Sequence, residues 1–354
     1  MELFDALGFE WNRDLVPREI PRASQERVVF RFRRMLPEYV WDAGVLEGNP
    51  FTFPEVKTLL EGVTVGGRKL SDQEQILNLA ESAKFLVDLV QRRQFSVDKS
   101  TFCSLQGLVA RHEALEWGHF RGEGAESRFT PDVALGERGR FTPLPTEPGA
   151  PQLNKVFEAG AGLLQREVSN PFERGAAFFL FGALQQFFFD GNKRTSRSMM
   201  NGILMSEGID AISIPAIRAR EFNERMVDFY TTRNATDMMA FVVDCHPEIG
   251  EIRHLNPGLS VVRDMPNISY HSLSESRSAA HSVAGSDESV VESAGLGHTL
   301  SNAEVKQRAA ERWRRDYQDK FVNVHAHGAT PSADKEHSKE EKHRDLDLDH
   351  DLDF

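Results

Sequence analysis

The stretch that most constrains the fold is "NPFERGAAFFLFGALQQFFFDGNKRTSR", residues 170–197. Its first part is apolar nearly all round. A helix of that kind has no face to offer water, so residues 170–189 predict a central, buried helix. Asn170 followed by Pro171 is a start signal: the asparagine accepts from the first backbone N–H groups, and proline is pre-set for the first turn. Asp190, Gly191 and Asn192 break the run, and "KRTSRSMMNGILM" restarts it as a second helix. The N-terminus of that helix presents backbone N–H groups and the positive end of the dipole, which favour an anion. Arg194 and Arg197 are three apart, so they are neighbours on one helical face and can converge on one phosphate chain. Asp190, on the preceding turn, is placed to hold a divalent cation. Spacing alone leaves an alternative open: a helix–loop–helix corner whose Asp caps and whose arginines are solvated.

Bulk properties exclude several classes. The chain has 354 residues, enough for one large domain or two small ones, and 40% hydrophobic residues supply a core. A net charge of −12 argues against a general nucleic-acid binder, although a local basic site for one nucleotide is compatible with it. Cys103 and Cys245 are the only cysteines, so neither a disulfide framework nor a zinc spacing is expected. The N-terminus lacks a basic start followed by a long apolar run, and no uninterrupted apolar segment reaches about 18 residues. The expectation is a cytoplasmic protein with no membrane span and no nucleic-acid partner.

The remaining chain from about 20 to 250 reads as helices punctuated by loops. Residues 71–93 carry Ile76, Leu79, Ala80, Ala83, Leu86, Val87 and Val90 at three- and four-residue spacing, behind Ser71 as cap and Glu74 as its capping-box partner. Residues 51–63 offer Thr52 as cap and Pro54 in the first turn, with Gly62 closing the helix. Between residues 118 and 151, "SRFTPDVAL" followed by "GERGRFTP" predicts a short β-hairpin. Beyond about 255 the composition turns Ser-, Ala- and Gly-rich and then highly charged, which predicts a largely disordered tail. One island, residues 302–322 with Trp313, reads either as a helix that meets a partner or as a marginal helix without one.

"FFDGNKRTSR" resembles the signature of the Fic (Fido) family, H-x-F-x-[DE]-G-N-[GK]-R-x-x-R. "LEGNPFTFPEVKTLL" (46–60) resembles that family's inhibitory-helix segment, "FRGEGAESRFTPDVALGERGRFTPLP" its target-docking flap, and "NGILMSEGIDAISIP" the helix after the motif. The resemblance covers roughly residues 30–250. It implies a mainly α fold with a short β-hairpin flap, with an N-terminal helical region (1–105, with an inhibitory segment at about 43–49) and a Fic core (106–250); the low-complexity tail (251–354) rests on composition alone.

By the same resemblance, Phe188 anchors the motif in the core and Asp190 holds Mg²⁺. Gly191, Asn192 and Lys193 form the anion-binding turn, Asn192 and Arg194 serve the α- and β-phosphates of ATP, and Arg197 holds the γ-phosphate. Thr195 and Ser196 are assigned to helix structure. Glu47 matches the glutamate of an inhibitory motif that blocks Arg197, and Ala43 stands where that motif usually has Ser or Thr. The motif histidine, the general base, is replaced by Gln186, whose amide cannot accept a proton. No histidine lies between His119 and His246, and His119 reads as a surface loop residue before it reads as a substitute. Lys193 also occurs in the Doc-like kinase branch, but the inhibitory segment does not, which ranks AMP transfer above phosphate transfer.

The implied activity is transfer of AMP from ATP with Mg²⁺ to a hydroxyl of a target protein docked at the flap (118–143), autoinhibited by Glu47 and weakened by Gln186. The alternative is an inactive module that binds nucleotide or a partner and acts as a regulator, with removal of AMP ranked third. A homodimer, a tail partner near Trp313 and secretion through the tail are left open.

Overall fold

A computed structural model of the chain describes residues 2–247. Within them lie eleven α-helices and one two-stranded sheet: α1 (Leu3–Leu7), α2 (Gln25–Arg34), α3 (Leu36–Leu46), α4 (Phe53–Leu60), α5 (Leu70–Gln91), α6 (Lys99–Val109), β1 (Val133–Ala134), β2 (Arg140–Phe141), α7 (Pro151–Glu167), α8 (Pro171–Gln185), α9 (Asn192–Ser206), α10 (Ala219–Thr232) and α11 (Thr236–Asp244). The fold is mainly α, as expected. No helix among the described residues is long and apolar enough to cross a membrane. The tail and the helix expected at 302–322 with Trp313 lie outside the described residues.

Asn170 opens α8 as its chemistry predicts: its side-chain oxygen accepts from the N–H groups of Phe172 and Glu173 at 3.0 and 3.3 Å. From Phe172 to Leu184 every residue but Arg174 is buried, so α8 is the central helix. It stops at Gln185, earlier than the expected 189, because Gln186 turns left-handed (φ 51°) and takes Phe187–Phe189 out of helical register. α8 and α9 pack closely at Gly182. A Cβ there would lie 2.0 Å from Ser196 Oγ and 3.2 Å from the Phe102 ring, so a side chain would force the pair apart. Glu173, a carboxylate inside this apolar helix, is satisfied by Trp11 Nε1 (2.9 Å) and by Arg13 Nε and Nη2 (2.7 and 3.0 Å), which ties the N-terminal segment to the core.

Around this pair, α5 buries the predicted stripe from Ile76 to Val90. The expected Ser71–Glu74 capping box does not form. The helix begins at Leu70, after Lys69, two residues earlier than a Ser71 cap would place it, and no side chain caps it; Glu74 instead lies 3.7 Å from His112 Nδ1. α4 does carry its box: Thr52 N–H and Oγ1 meet Glu55 Oε2 at 2.7 and 2.8 Å. The hairpin is shorter than its sequence suggests. Val133 pairs with Phe141 and Ala134 with Arg140 in antiparallel register, and Phe141 stacks on Tyr230 of α10 with ring centroids 5.2 Å apart.

Candidate functional site

The loop between α8 and α9 is held from three sides. Inside it, Phe187 and Phe188 are fully buried, and both rings pack on Phe102 and Phe120. Each buried phenyl contributes about 1.5–3 kcal/mol, which anchors the loop to α6 and to the segment before the hairpin. From α6, Gln106 donates to the Asp190 carbonyl at 3.1 Å and accepts from Gly118 N–H at 2.6 Å. From the segment before the hairpin, Arg121 N–H donates to the Phe187 carbonyl at 2.9 Å. The Arg121 guanidinium donates to the carbonyls of Gln186 (2.6 Å) and Leu144 (2.5 Å) and to Thr146 Oγ1 (2.7 Å). Burial pushes Arg121 down to about 10.

At the end of the loop, Gly191 adopts φ 77°, a conformation that costs glycine little, and Asp190 Oδ1 accepts its N–H at 2.6 Å. α9 then starts at Asn192, and its first-turn N–H groups have no intrahelical partner. Phe188 is the core anchor expected of it. Thr195 Oγ1 donates to the Gly191 carbonyl at 2.8 Å, a helix-structural use, while Ser196 Oγ is buried without a partner.

Gln186 and Asn192 form a closed amide network. Asn192 Oδ1 accepts from Phe188 N–H at 2.9 Å, and its Nδ2 donates to the Phe188 carbonyl (2.8 Å) and to Gln186 Oε1 (3.0 Å). Gln186 Nε2 donates to the Ala183 carbonyl (2.6 Å) and lies 3.4 Å from Tyr230 Oη, which donates to the same carbonyl at 2.9 Å. Both ends of the Gln186 amide are therefore engaged.

The cations of α9 are countered by carboxylates. Glu47, which caps the C-terminus of α3, lies 3.5 Å from Arg197 Nη2 and 3.8 Å from Lys193 Nζ. Burial would push the Glu47 carboxyl up, but Lys193, Arg194 and Arg197 outweigh it and hold the group at about 2. Arg197 is buried over the Phe222 ring, with Nη1 lacking a partner, and burial leaves it below its ordinary value despite Glu47. Arg194 Nη1 meets Glu113 Oε1 and Oε2 at 3.0 and 2.8 Å, and Nη2 lies 3.5 Å from Asp190. Burial lowers Arg194, but Glu113, Asp190 and Glu47 more than reverse that. Asp190 itself stays half exposed.

Glu47, Glu113, Gln186, Lys193 and Tyr230 line a cavity of about 400 Å³, and Phe129 and residues 131–134 of the hairpin region form one wall. A larger cavity of about 590 Å³ lies between residues 13–22 and the start of α8 and contains none of the motif residues. The cavity over the motif brings together Glu47, Gln186 and Asp190 to Arg194 but is not lined by Arg197, which is paired with Glu47 behind them. It excludes His119, which sits 3.3 Å from Glu116. Glu113 and Arg121 were not anticipated. No local pattern marks them, because their partners are far away in the chain. Among the described residues no group of three or more His, Cys, Asp or Glu side chains is gathered for a metal.

No protein-family model matches the chain. It is similar to the protein adenylyltransferase Fic of Culex quinquefasciatus, with 26% identity over 213 residues, 59% of this chain and 39% of that protein. It is likewise similar to protein adenylyltransferase fic-1 of Caenorhabditis elegans, with 24% identity over 200 residues, 54% of this chain and 36% of that one. The chain thus spans well under half the length of these curated relatives. Among solved structures, a Fic domain containing signaling protein from Bacteroides thetaiotaomicron superposes with a TM-score of 0.51 at 17% identity, covering 73% of this chain and 94% of its own. A fragment of C. elegans Fic-1 gives the same TM-score and identity, covering 68% of this chain and 67% of its own. The chain thus has the fold of solved Fic-domain structures and is similar in sequence, over a little more than half its length, to proteins named protein adenylyltransferase Fic.

Proposed function

We propose that the start of α9 is the phosphate site of a protein adenylyltransferase-type module, which binds ATP with Mg²⁺, is held off by Glu47 and transfers AMP slowly. One observation carries this reading: the Glu47 carboxylate sits against both Arg197 and Lys193, where a γ-phosphate would compete for the same donors. The first-turn N–H groups of α9, with Lys193, Arg194 and Arg197, would hold the phosphates. Asp190 suits Mg²⁺, which is usually bound through one or two carboxylates plus substrate phosphates; it is a half-exposed carboxylate at the cavity. When bound there, the ion would offset phosphate charge during transfer. A target protein would dock along the hairpin wall.

In the transfer, the target hydroxyl oxygen bonds to the α-phosphorus as the bond to the pyrophosphate oxygen breaks, and the hydroxyl proton must leave. Gln186 has no site for that proton, and loss of general-base help typically costs about 10²–10⁴-fold. The engaged Gln186 amide favours a second reading, in which the module binds nucleotide or a partner without transferring anything.

Equilibrium binding of ATP with Mg²⁺ tests the phosphate site. Glu47→Gly is expected to bind about tenfold or more tightly than wild type, a gain of about 1.4 kcal/mol, and adding Arg197→Ala removes the gain. Equal binding by wild type and Glu47→Gly contradicts the reading.

A further inference from the structure

Glu113 has no part in the reading above, yet it is the closest partner of Arg194. Two of its oxygens accept from Arg194 Nη1 at 3.0 and 2.8 Å, whereas Glu47 stands 3.5 Å from Arg197. A phosphate that takes Nη1 of Arg194 must displace this carboxylate, and one that takes Nη2 sits beside it. Lys193, Arg194 and Arg197 together face Glu47, Glu113 and Asp190, so the cations are already balanced before any ligand arrives. A triphosphate adds several negative charges to a poorly solvated place, where repulsion between like charges is strong. Removal of Glu47 leaves Arg194 still engaged.

Glu113 is also wired to the Glu47 segment. Gln75 Nε2 donates to Glu113 Oε2 at 2.8 Å, and Gln75 Oε1 accepts from Asn49 Nδ2 at 2.9 Å. Asn49 lies two residues after Glu47. It is buried, and its backbone N–H donates to the Gly44 carbonyl at 2.9 Å, within the turn that ends α3. A path of hydrogen bonds Asn49–Gln75–Glu113–Arg194 therefore runs beside the direct Glu47–Arg197 pair, from the same turn to the same helix.

We propose that Glu113 is a second inhibitory carboxylate, acting on Arg194 as Glu47 acts on Arg197, and that the Asn49–Gln75 bridge makes the two open together. This rests on the nucleotide-site reading and adds how that site is regulated. A displacement of the end of α3 that withdraws Glu47 also withdraws Asn49, which frees the Gln75 amide and loosens Glu113. A partner that pulls on α3 thereby clears both arginines in one movement.

The test is calorimetric titration of the full chain with ATP and Mg²⁺, and with AMP, using Glu47→Gly, Glu47→Gly/Glu113→Gln and Glu47→Gly/Gln75→Leu, each checked for cooperative melting. Adding Glu113→Gln is expected to tighten ATP by about tenfold, and Gln75→Leu by a smaller factor. AMP, with fewer charges, gains less than ATP in both cases. If Glu47→Gly binds ATP and Glu113→Gln leaves that affinity unchanged or weaker, Glu113 is a scaffold for Arg194 and the inference is wrong, while the nucleotide site stands. If Glu113→Gln fails to fold, Gln75→Leu carries the test, and an unchanged ATP affinity overturns the proposal. If every variant is folded and none binds ATP, the nucleotide-site reading fails and takes this inference with it.

Discussion

Replacing Glu47 by Gln keeps the shape of the side chain and removes its charge, so it isolates what the ionised carboxylate contributes. Although burial opposes ionisation, Lys193, Arg194 and Arg197 together hold the group at about 2, against an ordinary value of 4.5. The difference, 4.5 − 2, is worth on the order of 3 kcal/mol at about 1.36 kcal/mol per unit. The folded-state value is the lower one, so the stabilisation is fully present above the unfolded value of 4.5 and is lost as pH falls toward about 2. Chemical denaturation of wild type and Glu47→Gln at neutral pH, at pH about 4.5 and at pH about 3.5 measures it. Wild type is expected to be more stable at neutral pH by on the order of 3 kcal/mol, with the gap narrowing by about 1.4 kcal/mol per pH unit below the unfolded value. A neutral-pH gap under about 0.5 kcal/mol, the scatter of ordinary surface substitutions, would refute the charge balance. So would a gap that stays constant on acidification.

Other consequences concern the scaffold. Arg121→Ala removes the donor shared by the Gln186 and Leu144 carbonyls and Thr146 Oγ1, leaving buried acceptors unmet; a loss of about 3 kcal/mol is expected in denaturant unfolding, and a change under about 0.5 kcal/mol would show that water replaces the guanidinium. Gly182→Ala places a methyl group against Ser196 and Phe102. A loss of about 1–3 kcal/mol is expected, and a gain in melting temperature would mean that α8 and α9 separate at no cost.

The helices around the site were legible where one local signal sufficed. Asn170–Pro171 marked the start of α8, Thr52 and Glu55 capped α4, and the stripe from Ile76 to Val90 gave the buried face of α5. Ser71 misled because a helix can begin two residues early and remain uncapped when packing of its apolar face supplies the stability. The end of α8 was misplaced because the phenylalanines that continue its apolar run are buried for another reason, as the anchor of the loop. Within the site, Asp190 to Arg197 were readable as a turn and a helix start. Glu47 was found through resemblance, since a lone acid before a glycine carries no signal of its own. Glu113 and Arg121 act across the chain, on partners that no spacing rule connects to them. For Gln186, the residue type already showed that no proton could be accepted. Only the fold shows its amide braced between Ala183 and Asn192.

The proposed nucleotide-transfer site would be checked twice, by Glu47 at the phosphates and by Gln186 at the missing base. Transfer of labelled AMP from ATP to protein, compared among wild type, Glu47→Gly, Gln186→His and the double variant, tests it most directly. Little label is expected with wild type or Gln186→His, weak label with Glu47→Gly, and an increase of about 10²–10⁴-fold over Glu47→Gly in the double variant. A double variant that binds ATP with Mg²⁺ and labels no more protein than Glu47→Gly would contradict the proposal.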